Sequence, residues 1–101
     1  MDIRMEYIGT TLVVKLAGEI DQSCVGEIRN SIDREIQLHH IQNLILDFAG
    51  VDFMDSSGIG MIVGRYKQIK ARNGKTMIIR AKPQVDRIIE LSGIKKIIEC
   101  G

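Results

Sequence analysis

Apolar positions along the chain follow two rhythms, short runs that suit strands and three- or four-residue steps that suit helices. Tyr7-Ile8 and Leu12-Val13-Val14-Lys15-Leu16-Ala17 are short apolar stretches either side of Gly9-Thr10, a pair that fits a two-residue hairpin turn. An opening β-hairpin over residues 3–17 is therefore expected, with Leu12–Ala17 as its stronger strand. The chain is expected to leave the sheet at Gly18-Glu19-Ile20-Asp21. Ser23 then offers a helix N-cap, and Val25, Ile28, Ile32 and Ile36 lay one apolar stripe along a first helix reaching about His39.

Asn43-Leu44-Ile45-Leu46-Asp47-Phe48 is too short for a typical helix and reads as a strand buried on both faces. A loop is expected from Ala49 to Met54. Ile59, Ile62, Val63, Tyr66 and Ile69 return to helical spacing, giving a second helix from about Ser57 to Arg72 that Asn73-Gly74 stops. Lys75 to Arg80, around Met77-Ile78-Ile79, reads as another strand. Pro83 suits the first turn of a short third helix through Glu90, with Val85, Ile88, Ile89 and Leu91 turned inward and Gly93 ending it. Lys96 to Glu99 is expected as a last edge strand.

Strands that alternate with helices of this length need crossover connections, so those at 12–17, 44–48 and 76–80 should run largely parallel with right-handed crossovers. The expected class is α/β, a mixed and mostly parallel sheet of four to five strands with an N-terminal hairpin and about three or more helices. At 101 residues the chain is read as one domain over 1–101, because halves would be too small to bury a core.

Charge narrows the function. Fourteen Lys and Arg stand against thirteen Asp and Glu, which leaves no positive excess to neutralise several phosphates, so a nucleic-acid partner is not expected. The cluster Arg65, Lys67, Lys70, Arg72 and Lys75 falls mostly on the solvated face and C-terminal end of the second helix, where cations suit the dipole. No apolar run approaches the roughly 20 residues that span a bilayer, and the N-terminus lacks a signal-peptide layout. A cytoplasmic protein with no membrane partner is the expectation. Cys24 and Cys100 lie far apart without a CxxC pair, and His39-His40 has the wrong spacing for a metal on one helical face.

One stretch carries more than folding requires: Phe53-Met54-Asp55-Ser56-Ser57-Gly58-Ile59-Gly60, where the chain passes from the central strand into the second helix. Asp and Ser cap helices anywhere. Gly58 and Gly60 do not fit simple capping, since each costs up to about 1 kcal/mol of helix propensity relative to alanine. Close approach by a partner, or backbone freedom, is one reason to keep them there. An anion cradled at the helix N-terminus is a second reading, although the order of a Walker loop is missing. A nucleophilic serine is a third, with least support. No Gly-x-Ser-x-Gly elbow exists, and the only histidines follow the far end of another helix.

Taken together, Gly18-Glu19-Ile20-Asp21, Leu44-Ile45-Leu46-Asp47-Phe48, the 53–60 segment and Leu91-Ser92-Gly93-Ile94 resemble the anti-sigma-factor antagonist (STAS) family over nearly the whole chain. Gly64-Arg65-Tyr66-Lys67-Gln68-Ile69-Lys70 brings the resemblance closest to the sporulation-type antagonists of Gram-positive bacteria. The resemblance implies a non-enzymatic switch that binds an anti-sigma factor, itself a serine kinase, and so releases sigma factor. It implies Ser56 as the phospho-acceptor, Ser57 as a capping or supporting hydroxyl, and a partner surface of Asp21, Asp55, Ser56, Ser57, Gly58 and Ile59. The kinase would supply ATP and Mg²⁺, a phosphoserine phosphatase would reset the switch, and no cofactor would be needed. A stress-response antagonist with a different kinase, or a small anion- or ligand-binding module, are the alternatives. Antagonists of this type usually continue into a final helix; this sequence stops at Cys100-Gly101.

Overall fold

A computed structural model describes all 101 residues. The elements run β1 (Asp2–Ile8), β2 (Thr11–Ile20), α1 (Val25–Leu38), β3 (Asn43–Met54), α2 (Ser56–Lys70), β4 (Thr76–Ile79), α3 (Pro83–Ser92), a 3₁₀ turn (Ile94–Lys96) and β5 (Glu99–Cys100). The five strands stand side by side in chain order. β1 is antiparallel to β2, and all later neighbours are parallel. The expected class and its hairpin edge are therefore both present, with Gly9 at a φ of +59° turning the hairpin.

A single core cluster joins one face of the sheet to all three helices. Leu12, Val14 and Leu16 of β2, Leu44, Leu46 and Phe48 of β3, and Ile78 of β4 meet Ile28, Ile32 and Ile36 of α1, Met61, Ile62 and Ile69 of α2, and Val85 and Ile89 of α3. Strands placed in chain order and joined by same-handed crossovers put every helix on the same side. The opposite face carries Arg4, Lys15 and Asp47 in one register row. There Arg80 and Lys15 balance the buried Asp47 carboxylate. Burial opposes its ionisation, but hydrogen bonds from Arg80 and the Ala49 N–H, with the nearby positive charge, outweigh that and hold its pKa below the usual range.

Several boundaries differ from expectation, each for a local reason. β2 does not end at Gly18, and Ala49–Met54 is not a loop: the two segments extend the parallel ladder together, pairing Gly18 with Val51 and Ile20 with Met54. Two shifts of register accommodate the polar interruptions. Glycine permits them. Gly18 has a φ of +117°, and a Cβ on Gly50 would lie 2.8 Å from that of Ala17.

Ser23 does not cap α1, which starts at Val25 after Cys24 with no side-chain cap. Asp21 is the stronger acceptor, and it takes both the Ser23 N–H and hydroxyl. At the other end of the chain, Leu91 is 78% exposed instead of inward. It lies two residues beyond buried Ile89, about 200° around the helix. α3 runs on to Ser92 and ends at Gly93 with φ +82°, the left-handed stop its sequence suggested. The expected strand at Lys96–Glu99 is displaced to Glu99–Cys100, because Ile94 and Ile98 are buried four residues apart and the chain turns between them.

Candidate functional site

At the C-terminal ends of parallel strands the connecting loops and the N-termini of the following helices collect. The 53–60 segment sits there. Its backbone is anchored by the Asp55 N–H, which donates to the Ile20 carbonyl at 3.1 Å and ties the helix entry to the end of β2. Asp21, the next residue after Ile20, is thereby held at the same end of the sheet as Ser56.

Asp55 is the N-cap of α2, in extended conformation, and its carboxylate accepts the Ser57 N–H at 2.9 Å. The Ser57 hydroxyl donates to the same carboxylate oxygen. Of the two roles expected for Ser57, capping or supporting, its hydroxyl takes the second. It supports the cap, because a carboxylate is a better acceptor for an N-terminal N–H than a hydroxyl already used as a donor. The helix accordingly begins one residue earlier than expected, at Ser56. Ser56 is exposed, and its hydroxyl makes no hydrogen bond within the chain.

The glycines divide. Gly58 is buried, and a Cβ there would come within 2.4 Å of Met54 Cγ and 3.1 Å of Ile20 Cγ2, so a side chain would force Met54 to shift where the helix seats on the strand ends. Gly60 is exposed and a Cβ there would meet nothing within 4 Å. Nothing inside the molecule requires it. Ile59 between them is half-buried and packs against the core edge.

Asp21 holds its loop by accepting the Ser23 N–H at 2.9 Å, and its carboxyl is kept below the usual range first by the Ser23 hydroxyl and then by that N–H. Cys24 reinforces the loop: its sulfur accepts the Asp21 N–H. Both cysteines are free, and no group of three His, Cys, Asp or Glu side chains is gathered in metal-binding fashion. His39 lies at the C-terminal end of α1, against Glu35 and Tyr7, on the opposite rim of the sheet from Ser56. No helix is long and apolar enough to cross a membrane.

Two features of this rim escaped the sequence reading. Phe53 is 45% exposed beside the phospho-acceptor candidate, because the continued β3 turns it away from the core. Lys82 and Gln84, at the start of α3, clasp Asp52 through its carboxylate and its carbonyl. The first escapes a strict two-residue alternation, which would set Phe53 on the side of buried Val51; the register shift between Gly18 and Glu19 turns it outward. The second joins residues about thirty apart and leaves no local trace.

A family model described as STAS domain matches residues 2–101. An anti-sigma F factor antagonist of Paenibacillus polymyxa is 36% identical over 98 residues, covering 97% of this chain and 84% of that protein. An anti-sigma-B factor antagonist of Listeria monocytogenes is 29% identical over 84 residues, 83% of this chain and 73% of its own length. Among solved structures, the anti-sigma factor antagonist SpoIIAA in its unphosphorylated form superposes with a TM-score of 0.87 at 30% identity, covering 99% of this chain and 88% of that one. The Bacillus cell fate determinant SpoIIAA in its phosphorylated form superposes with a TM-score of 0.78 at 29% identity, covering 99% and 91%.

Proposed function

The chain belongs to the STAS domain family, and from that membership together with the geometry of its helix entry we propose that it is an anti-sigma factor antagonist switched by phosphorylation of Ser56. The observation that carries the assignment is the difference between two adjacent serines. Ser57 spends its hydroxyl on the Asp55 carboxylate, whereas Ser56 stands exposed with its hydroxyl free to attack a γ-phosphate. The partner is an anti-sigma factor that is also the serine kinase and brings its own ATP and Mg²⁺. A phosphoserine phosphatase restores the active form. In this reading the chain is a regulatory partner and a substrate, working in the cytoplasm.

In the unmodified state the partner covers Asp55, Ser56, Ile59 and Gly60, with buried Gly58 shaping the turn from beneath and the Asp21 loop as a second contact on the same rim. Occupying the anti-sigma factor frees the sigma factor. Phosphorylation adds about −1.5 to −2 charges and three acceptor oxygens at the centre of that surface. Across a desolvated interface and beside Asp55, such a group costs several kcal/mol, and each 1.4 kcal/mol is about a tenfold loss of affinity. Similarity to the anti-sigma F antagonist is higher and longer than to the anti-sigma-B antagonist, which favours a sporulation-type partner over a stress-response one.

Incubation with the cognate kinase and ATP, followed by intact mass and peptide mapping, should find one phosphate, on Ser56. Modification confined to Ser57 would refute the assignment. Ser56→Asp should lose kinase binding while melting close to wild type. Calorimetry with free phosphate and nucleotides, without a protein partner, should show no tight binding; a tight ligand would favour the small-ligand module instead.

A further inference from the structure

The rim opposite Ser56 holds a cavity that the switch does not use. It is about 420 Å³ and lies where the C-terminal turns of α2 meet the start of β4. β5 runs alongside only Met77 and Ile78, so the edge of β4 at Lys75 and Thr76 has no strand beside it, and the cavity opens there. We propose that this cavity is a binding site for a small organic anion with an apolar body, the anionic group held between Lys70 and Lys75.

Three observations carry this. The first is a polar group left without a partner. Thr76 is 7% exposed, lines the cavity, and its Oγ1 is buried without any hydrogen bond. Buried hydroxyls are almost always paired, because leaving one unpaired costs about 1–3 kcal/mol. Register places Thr76 on the same side of the sheet as Leu44, toward the helix layer from which Tyr66 and Lys70 enter the cavity. Oγ1 is itself covered, so a ligand seated there supplies the missing acceptor once the Thr76 side chain turns its hydroxyl toward the cavity.

The second is charge. Lys70 and Lys75 both line the cavity and neither has a carboxylate within ion-pair distance, whereas Lys15, Lys82 and Lys95 each do. Lys70 is further steered over the Tyr66 ring, its Nζ 5.8 Å from the centroid. Glu99 is the one acidic side chain on the wall, so the lining carries two cations against one anion. The third is shape: the volume falls in the range of about 300–1,000 Å³ that small-molecule sites occupy, and Tyr66, Met77 and Ile97 supply apolar wall.

The site is tested on the whole chain with phenyl phosphate as the probe, following amide shifts by NMR, with benzyl alcohol and inorganic phosphate in parallel. Phenyl phosphate should give saturable shifts centred on Tyr66, Thr76 and Ile97, stronger than either comparison compound. Lys70→Gln with Lys75→Gln, both at exposed positions, should weaken binding at least about tenfold, the loss expected for a charged hydrogen-bonding contact. Thr76→Val should melt no lower than wild type yet bind more weakly. Absence of saturation at millimolar probe, full binding by the lysine pair variant, or a marked loss of stability in Thr76→Val would each overturn the proposal. None of these readouts involves Ser56, so their failure leaves the switch assignment untouched.

Discussion

Replacing Gly60 by alanine should stabilise the protein and weaken its function together, and Gly58→Ala should not behave this way. Gly60 is exposed in the first turns of α2, its φ is not positive, and a Cβ there meets nothing within 4 Å. Only the backbone entropy of glycine is then removed, a gain of about 0.5–1 kcal/mol, which for a domain of this size raises Tm by about 2–8 °C. Gly60 also lies one helical turn from Ser56 on the same face. If a partner packs closely on that turn, the new methyl overpacks the interface by about 1–3 kcal/mol, lowering affinity by at least about fivefold.

At Gly58 the same methyl meets Met54 and Ile20 inside the molecule. The helix-propensity gain of about 1 kcal/mol is then set against about 1–3 kcal/mol of overpacking, for a net change between about zero and a 2 kcal/mol loss. Thermal melts paired with titration of the anti-sigma partner separate the two cases. A Gly60→Ala protein that is more stable and binds as tightly as wild type would show that no partner approaches this turn, and the docking surface drawn around Ser56 would be wrong.

Removing the cap with Asp55→Ala should cost about 0.5–2 kcal/mol, read by denaturant midpoint; it also frees the Ser57 hydroxyl, so peptide mapping after kinase treatment should begin to find phosphate on Ser57. Asp47 titrates lower when folded than when unfolded, so its contribution is complete above the unfolded pKa and is lost as pH falls through the folded one. Acid unfolding of Asp47→Asn should accordingly show a shallower pH dependence than wild type. Arg80 holds Asp47 from a φ of +59°, so Arg80→Gly relieves backbone strain while removing the ion pair, and should lose less stability than Arg80→Ala. Gly74→Ala should be the most damaging of these changes, at about 3 kcal/mol or more, because its Cβ would fall 1.6 Å from the backbone carbonyl oxygen of Gln42, which cannot move aside as a side chain could.

The elements that bury one apolar stripe were readable from sequence, since Ile28, Ile32 and Ile36 or Leu12, Val14 and Leu16 each allow a single side to face inward. What was not readable depended on partners distant in the chain. Glu19 and Asp52 look like loop residues in isolation, yet they fall inside strands because Ile20 and Met54 must both be buried and each strand end supplies the other's hydrogen bonds. The expected Ser23 cap failed for a local reason: an aspartate two residues earlier takes its hydroxyl and its N–H first, as Asp55 takes those of Ser57. The site segment itself was legible because its glycines break a local preference, which a sequence shows directly.

The cap geometry also explains why a phosphate on Ser56 should act outward. A free helix N-terminus would draw the phosphate onto its N–H groups and shield part of the charge. Here Asp55 has already engaged two of them: its carboxylate takes the Ser57 N–H and its carbonyl takes the Gly58 N–H. The carboxylate also places one negative charge at the dipole's positive end before any modification. A phosphate arriving on the next residue is left with little of that attraction and with a neighbouring anion that repels it. Its charge then points into the space a partner would occupy, while the packing beneath α2 through Gly58, Met61 and Ile62 has no reason to change. On the proposed reading, the arrangement that ties the Ser57 hydroxyl to Asp55 would thus make Ser56 an effective place to carry the charge.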